Sequence, residues 1–407
     1  MAIGNRQSAI GNPSAFVAIF AVVWLGLAAV EVYHLFDPFT YPYPPCRRPL
    51  CRPTPYRRLC HDVVAGDEGG DLTRMLGFRL GTGLFAVPRG DIEVWTDRRG
   101  YRNRPELADA HCPVVVTGDS FMDQGLTNED TPAGVLAELL GAPVYDHTYM
   151  ARGPTTGIRA FLAADDFRER PPKALVWGFI ERNMHAGALR PYQPVAPARP
   201  TRGERLAEAW RRVRLPESHR DSTKAFWKAY RDKWSVLRAY ANAVRAELAW
   251  RVAGRLITDQ VIVGERPGGG AALFLRGGVR LLGRTAKQRR LAKAADAVAT
   301  YAAECRRRGI RLVVLLIPDK AHVYHGWLPP DERPAIPTPD ACTALAARLA
   351  ERGVLAVNLL PVFRARSGPD DPLLYYPDDT HWTEHGIRVA MEAVAQRLSA
   401  KGSPRVK

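Results

Sequence analysis

A serine hydroxyl is a weak nucleophile at neutral pH and attacks a carbonyl only when an imidazole takes its proton. The imidazole in turn needs a carboxylate to fix its tautomer and stabilise its cation. Two short segments hold these groups. In Val114–Phe121 (VVVTGDSF) an apolar run leads into Gly118-Asp119-Ser120. Gly118 permits a tight turn and a helix is expected next, so Ser120 reads as a nucleophile or as an ordinary helix cap. In Tyr375–Gly386 (YYPDDTHWTEHG), Asp379 and His381 stand two residues apart and can supply acid and base from one piece of loop. Asp378 is the rival carboxylate, and His385 is expected in the first turn of the terminal helix. Each segment is ambiguous alone. Together they point to Ser-His-Asp acyl chemistry with Ser120, His381 and Asp379, for which neither a metal nor a cofactor is expected.

Such a trio needs a frame that brings together groups far apart in sequence. Strands are expected at Pro113–Thr117, Pro143–Tyr145, Ala174–Phe179, Arg311–Ile317 and Leu355–Leu359, as continuous apolar runs suited to parallel strands buried on both faces. Between them lie helical patterns. One is capped by Thr131 with Pro132 and runs to Leu140, one runs from Lys287 to Arg308 and stops at Gly309, and one starts near Thr383. The alternation predicts a doubly wound α/β fold with a parallel sheet, whose functional groups gather beyond the carboxyl ends of the strands. Backbone N–H groups at a helix start there can hold an oxyanion.

The chain has 407 residues, 46% apolar and 25% charged, which excludes a mostly disordered or fibrous protein. Its net charge of +16 suits an acidic partner such as an anionic polysaccharide or a lipid surface. No nucleic acid is expected, since the basic segments carry no recognised motif. From Gln7 to Val30 there is no charged residue. A helix over Ala15–Phe36 would rise roughly 33 Å, so residues 1–36 are expected to be a membrane anchor. Residues 37–96 read as a proline-rich tether and lead-in, with Cys46, Cys51 and Cys60 close enough to suggest a disulfide of an exported protein. Cys112, Cys305 and Cys342 read as buried thiols. The globular part, 97–400, is interrupted at 184–283 by a basic insertion expected to be helical. Within it Thr201 and Glu204 form a possible capping box, and Trp227, Tyr230, Trp234, Leu237, Ala241, Val244 and Leu248 form a heptad stripe. That stripe serves a helix packed on its own domain, a coiled-coil seam or a lid.

The pairing of GDSF with DTHW resembles the SGNH hydrolase superfamily, and within it the alginate O-acetyltransferase (AlgJ/AlgX-like) group. Thr96–Asn103 (TDRRGYRN), Leu175–Arg182 (LVWGFIER), Leu312–Tyr324 (LVVLLIPDKAHVY) and Leu359–Trp382 resemble further segments of that group. In the alginate proteins the Asp-x-His segment precedes the serine block, whereas here the serine block is N-terminal to it. The resemblance implies an SGNH-type three-layer α/β/α domain behind an N-terminal transmembrane helix. It implies O-acetylation of an exported polysaccharide through an acetyl-serine. The acetyl group would come from a membrane-bound O-acyltransferase partner, and the catalytic domain would lie outside the inner membrane. It further implies oxyanion roles for Gly153 (Gly157 as alternative) and Asn183, while Arg152 and Arg182 read as candidates for binding an acidic sugar or orienting the loop, or as surface salt bridges. The alternatives are an SGNH-type carbohydrate esterase, with water as acceptor, and a non-catalytic polysaccharide-binding scaffold.

Overall fold

The structure is a computed structural model that describes residues 21–29, 60–64, 69–76, 85, 87, 89–148, 153–193, 236–283 and 288–400. In chain order, β1 (Cys60–Val64) is followed by a short helix α1 (Asp71–Met75) and by β2 (Ile92–Thr96), which pairs antiparallel with β1. Then come β3 (Val114–Gly118), α2 (Pro132–Leu140), β4 (Val144–Asp146), α3 (Pro154–Ala163), α4 (Asp165–Glu169) and β5 (Ala174–Ile180). A long helix α5 (Val236–Ala253), a hairpin of β6 (Val261–Glu265) and β7 (Ala271–Leu275), and α6 (Arg276–Leu282) follow. The chain continues through α7 (Gln288–Arg307), β8 (Arg311–Ile317), α8 (Lys320–Val323), α9 (Ala341–Glu351), β9 (Leu355–Asn358), α10 (Leu359–Arg364) and α11 (Glu384–Ser399).

Five strands form the central sheet in the order β4-β3-β5-β8-β9, all parallel. The aliphatic runs VVV of β3, ALVW of β5 and LVVLLI of β8 are buried on both faces, which is why they read without alternation. Helix ends follow their caps: Thr131 Oγ1 accepts the Gly134 N–H at 3.1 Å, and Thr383 Oγ1 accepts the Gly386 N–H at 3.1 Å. Right-handed crossovers place α2 on one face and α3, α7 and α9 on the other, because the chain reverses direction across the sheet after β4. The packing of α2 on α11 and of α7 on α9 agrees with two helical layers. The reversal leaves a crevice between the carboxyl ends of β3 and β5. The expected doubly wound parallel sheet is therefore present.

The insertion departs from expectation. It is not helical throughout: Gly268, Gly269 and Gly270, all with φ between 80° and 97°, turn the chain into the β6–β7 hairpin. Trp227, Tyr230, Trp234, the Leu237 side chain and the possible cap at Thr201 and Glu204 lie outside the described residues. The rest of the stripe does not pack on its own domain, for Ala241, Val244 and Leu248 are exposed. Helix α5 docks by another face, through Ala246 and Trp250, onto a small second core of Leu72, Leu76, Phe85, Val261 and Leu273. The Trp250 and Phe85 rings meet edge-on with centroids 5.2 Å apart, and this aromatic contact selects the docking face.

The lead-in that follows the tether carries β1, α1 and β2, while Cys46, Cys51 and the rest of the expected tether before Cys60 lie outside the described residues. Residues 21–29 are helical, with Val22, Trp24 and Leu25 exposed. The remainder of the expected anchor lies outside the described residues, and among the described ones no helix is long and apolar enough to cross a membrane.

Candidate active site

Strands β3 and β5 run side by side with Gly118 opposite Gly178. A Cβ on Gly118 would stand 2.1 Å from the Gly178 carbonyl oxygen, and one on Gly178 would stand 2.2 Å from Met122 Sδ. The absence of both side chains lets the chain turn at once beyond β3 with Met122 tucked beneath. Asp119 then fastens the turn. Its Oδ1 accepts the Phe121 N–H at 3.2 Å, and its Oδ2 accepts the Ile180 N–H and Asn183 Nδ2, both at 2.9 Å. Burial pushes the Asp119 carboxyl above its usual range, opposed by these donors and by Arg182. The ends of β3 and β5 are thus tied together, with Ser120 half-buried between them.

The second segment is a narrow loop closed by a bridge between Tyr375 and Trp382, by the Tyr376 N–H to His381 O at 3.2 Å, and by the Asp379 N–H to Tyr376 O at 3.3 Å. It delivers His381 Nε2 to 2.8 Å from Ser120 Oγ, across 261 residues of sequence. His381 Nδ1 is 2.7 Å from Asp379 Oδ1, which also accepts the His381 backbone N–H at 3.1 Å. A carboxylate only accepts, so Nδ1 carries the proton and Nε2 faces the hydroxyl as acceptor. The Phe121 ring lies 4.7 Å from the imidazole and helps to fix its plane.

Asp378 does not touch the imidazole. Its Oδ2 accepts the Gly70 N–H at 2.7 Å and the Val87 N–H at 3.0 Å, and its Oδ1 meets Arg89 at 3.1 Å. Arg89 also reaches Asp379 Oδ2 at 3.1 Å and lies 3.9 Å over the Tyr376 ring. Burial alone would pull the guanidinium pKa down, but Asp379 and Asp378 outweigh it and hold Arg89 charged more firmly than in water. Asp71 completes this shell. Its N–H donates to Asp379 Oδ2 at 3.2 Å, its carboxylate takes the Thr380 N–H and hydroxyl at 2.7 and 2.6 Å, and its Oδ2 stands 3.8 Å from His381 Nδ1. Neither Arg89 nor Asp71 was legible as a site residue. Both come from the lead-in, about 290 and 308 positions from their partners, and no local pattern marks them.

The remaining expected positions divide. Asn183 stands beside Asp119, next to Ser120, on the wall of the crevice. Gly153, with φ +81°, precedes α3 on the same carboxyl edge of the sheet, whereas Gly157 sits inside α3 against Thr117 Oγ1. Arg182 pairs with Asp319 at 2.7 Å and lies 5.4 Å over the Phe121 ring. Arg152 lies outside the described residues. Cys112, Cys305 and Cys342 are buried free thiols. Among the described residues two groups bring three ligand-type atoms within 4.8 Å: Asp71, Asp379 and His381, and the buried Glu181, His322 and Cys342. In both, the imidazole Nδ1 is already engaged by a carboxylate, at 2.7 Å and 2.8 Å.

Comparison with known proteins gives a consistent picture. The family described as "SGNH hydrolase-like domain, acetyltransferase AlgX" matches residues 59–181 and 273–407, two segments that flank most of the insertion and contain Ser120, Asp379 and His381. The probable alginate O-acetylase AlgJ of Azotobacter vinelandii is 32% identical over 126 residues, 30% of this chain and 32% of that protein. The protein of the same name from Pseudomonas fluorescens is 32% identical over 78 residues, 19% of each chain. That of Pseudomonas putida is 33% identical over 94 residues, 23% of each chain. The matched stretches thus span a third or less of these relatives' length. No solved structure matches. With more than half of its residues inside the matched segments, the chain belongs to the SGNH hydrolase-like, AlgX acetyltransferase family.

Proposed function

We propose that the chain is a membrane-anchored, serine-dependent O-acetyltransferase acting on an exported polysaccharide through an acetyl-serine intermediate. The observation that carries this reading is the relay from Ser120 Oγ through His381 to Asp379, at 2.8 and 2.7 Å. His381 Nε2 takes the Ser120 proton as Oγ attacks the acetyl carbonyl carbon. The tetrahedral oxyanion is held by backbone N–H groups of Ser120 and Gly153, with Asn183 at its side; losing one such donor typically costs ~10²–10³ in rate. Collapse releases the donor alcohol, which takes the proton from His381. A sugar hydroxyl then gives its proton to His381, attacks the acetyl-serine carbonyl and leaves as the ester, and Ser120 recovers the proton.

The relatives named as alginate O-acetylases support acetyl as the transferred group and an acidic polysaccharide as acceptor. The net charge of +16 suits that acceptor, with Arg152 and Arg182 as candidate contacts. The uncharged segment Gln7–Val30 supports an anchor that holds the domain near a membrane-bound acetyl donor. A chromogenic acetyl ester, with and without an oligouronate acceptor, tests the proposal. Release is expected to accelerate with acceptor and the oligosaccharide to gain acetyl groups, while Ser120→Ala abolishes both with an unchanged melting temperature. Acetylation retained by Ser120→Ala would refute the mechanism, and acceptor-independent release would make the enzyme an esterase.

A further inference from the structure

The segment Pro318-Asp319-Lys320 through Tyr324 contributes no atom bonded to Ser120 or His381, yet Lys320, Tyr324 and the Pro318 carbonyl face the loop that carries Asp379, while Asp319 and His322 turn to Arg182 and Glu181. Lys320 is 4% exposed. Its Nζ donates to the carbonyl oxygens of Tyr376 at 2.7 Å, Pro377 at 2.8 Å and Asp379 at 3.2 Å, and to Leu273 O of β7 at 2.7 Å. Tyr324 Oη accepts the Leu374 N–H at 2.8 Å, and the Tyr375 hydroxyl donates to Pro318 O. Residues 374–379 belong to no strand or helix, and their carbonyls are held by scattered donors: Tyr376 O also accepts the Asp379 N–H at 3.3 Å and Pro377 O the Leu273 N–H at 2.7 Å. One ammonium adds a charged donor to three residues of the loop at once and ties them to β7.

We propose that Lys320 is a positioning residue for acyl transfer, which with Pro318 and Tyr324 moulds residues 374–379 so that Asp379 meets His381 and His381 meets Ser120. The inference rests on the reading of Ser120, His381 and Asp379 given above. Lys320 acts through backbone carbonyls and touches no reacting atom. Four carbonyl oxygens within 3.2 Å call for the charged amine, whose three N–H bonds are shared among them, since a neutral one has only two N–H bonds and a lone pair aimed at oxygen. Burial pulls the Lys320 pKa down to about 7, against Asp378 and Asp379 in the loop and Asp71 in α1, which raise it, with Arg89 lowering it further. The hold on the loop therefore weakens as pH rises.

The test is covalent labelling of Ser120 by a fluorophosphonate, which requires the activated hydroxyl but no acceptor, followed from pH 6 to 10 in the full-length protein. Lys320→Met is expected to label at least ~10-fold more slowly at neutral pH, a part of the ~10²–10⁴ that general-base help contributes. Lys320→Arg keeps the charge and does not titrate in this range. It is expected to recover most of the rate and to stay flat at alkaline pH, where the wild type declines. A Lys320→Met protein that labels like wild type overturns the proposal, as does a Lys320→Arg protein whose alkaline profile matches wild type. If neither variant folds, as judged by circular dichroism, Lys320 serves stability alone and the proposal falls. Ser120→Ala separates the two readings: labelling that persists there defeats the catalytic site itself, whereas a silent Ser120→Ala beside an unaffected Lys320→Met defeats only the role of Lys320.

Discussion

Asp378 and Asp379 are neighbours in sequence and share Arg89, but what each touches gives it a different task. Asp379 divides its oxygens between His381 on one side and Arg89 with the Asp71 N–H on the other, so it orients the imidazole and is itself held. Asp378 spends both oxygens on Arg89 and on the Gly70 and Val87 N–H groups, pinning the lead-in to the loop. Asp379→Asn should lower kcat by ~10⁴ through the wrong imidazole tautomer. Asp378→Asn should lower stability by ~1–3 kcal/mol, as a buried hydrogen-bonded charge is lost, with a smaller fall in kcat. Steady-state rates and urea titrations on the two variants decide. Equal losses of activity with unchanged stability would reverse the assignment. Chemical type and the Asp-x-His spacing pointed to Ser120, Asp379 and His381 in the sequence, with Asp378 as the rival; the coordinates set Asp379, and not Asp378, against the imidazole.

At the scale of elements, the strands of the central sheet could be placed from their aliphatic runs to within a residue or two, because burial on both faces leaves no competing pattern. The hairpin of β6 and β7 escaped, although Gly268-Gly269-Gly270 between two short apolar runs is a hairpin signal. The basic, helix-prone residues around it masked that signal. The heptad stripe had the right period, but the docking face was set by Phe85, more than 150 positions away from Trp250. Trp250→Ala should therefore cost ~2 kcal/mol, less than the ~3–5 kcal/mol of a fully buried aromatic. It should also lower activity at temperatures well below unfolding, because the same small core holds α1 and with it Asp71. Val244→Ser with Leu248→Ser, on the exposed stripe, should change stability by no more than ~0.5 kcal/mol each. Thermal melts and initial rates on these variants check both statements. Full activity in a destabilised Trp250→Ala protein would uncouple α5 from the site.

Across the whole molecule, buried ionisable groups make stability depend on pH. Burial raises the carboxyl of Asp146, at the end of β4, to about 7. Between the ordinary carboxylate range and that value the folded chain binds more protons than the unfolded one. This contribution to stability is therefore full at the acid end and is lost as pH rises through about 7. Asp146→Asn cannot ionise, so urea midpoints measured from pH 5 to 8 should fall with pH less steeply than in wild type. Parallel pH profiles for the two proteins would show that Asp146 does not carry this dependence.

The sequence by itself determined the fold class, the positions of the sheet strands and the candidate nucleophile, base and pair of rival carboxylates, because these follow from local hydrophobic pattern and from the chemistry of serine, histidine and aspartate. Only the tertiary structure decided which carboxylate faces the imidazole, that the lead-in supplies Arg89 and Asp71, and that Lys320 gathers the carbonyls of the loop. Those contacts join parts of the chain tens to hundreds of residues apart. Their partners are largely backbone atoms and buried charges, which every sequence contains and which acquire a role only when packing excludes water and leaves them no other partner.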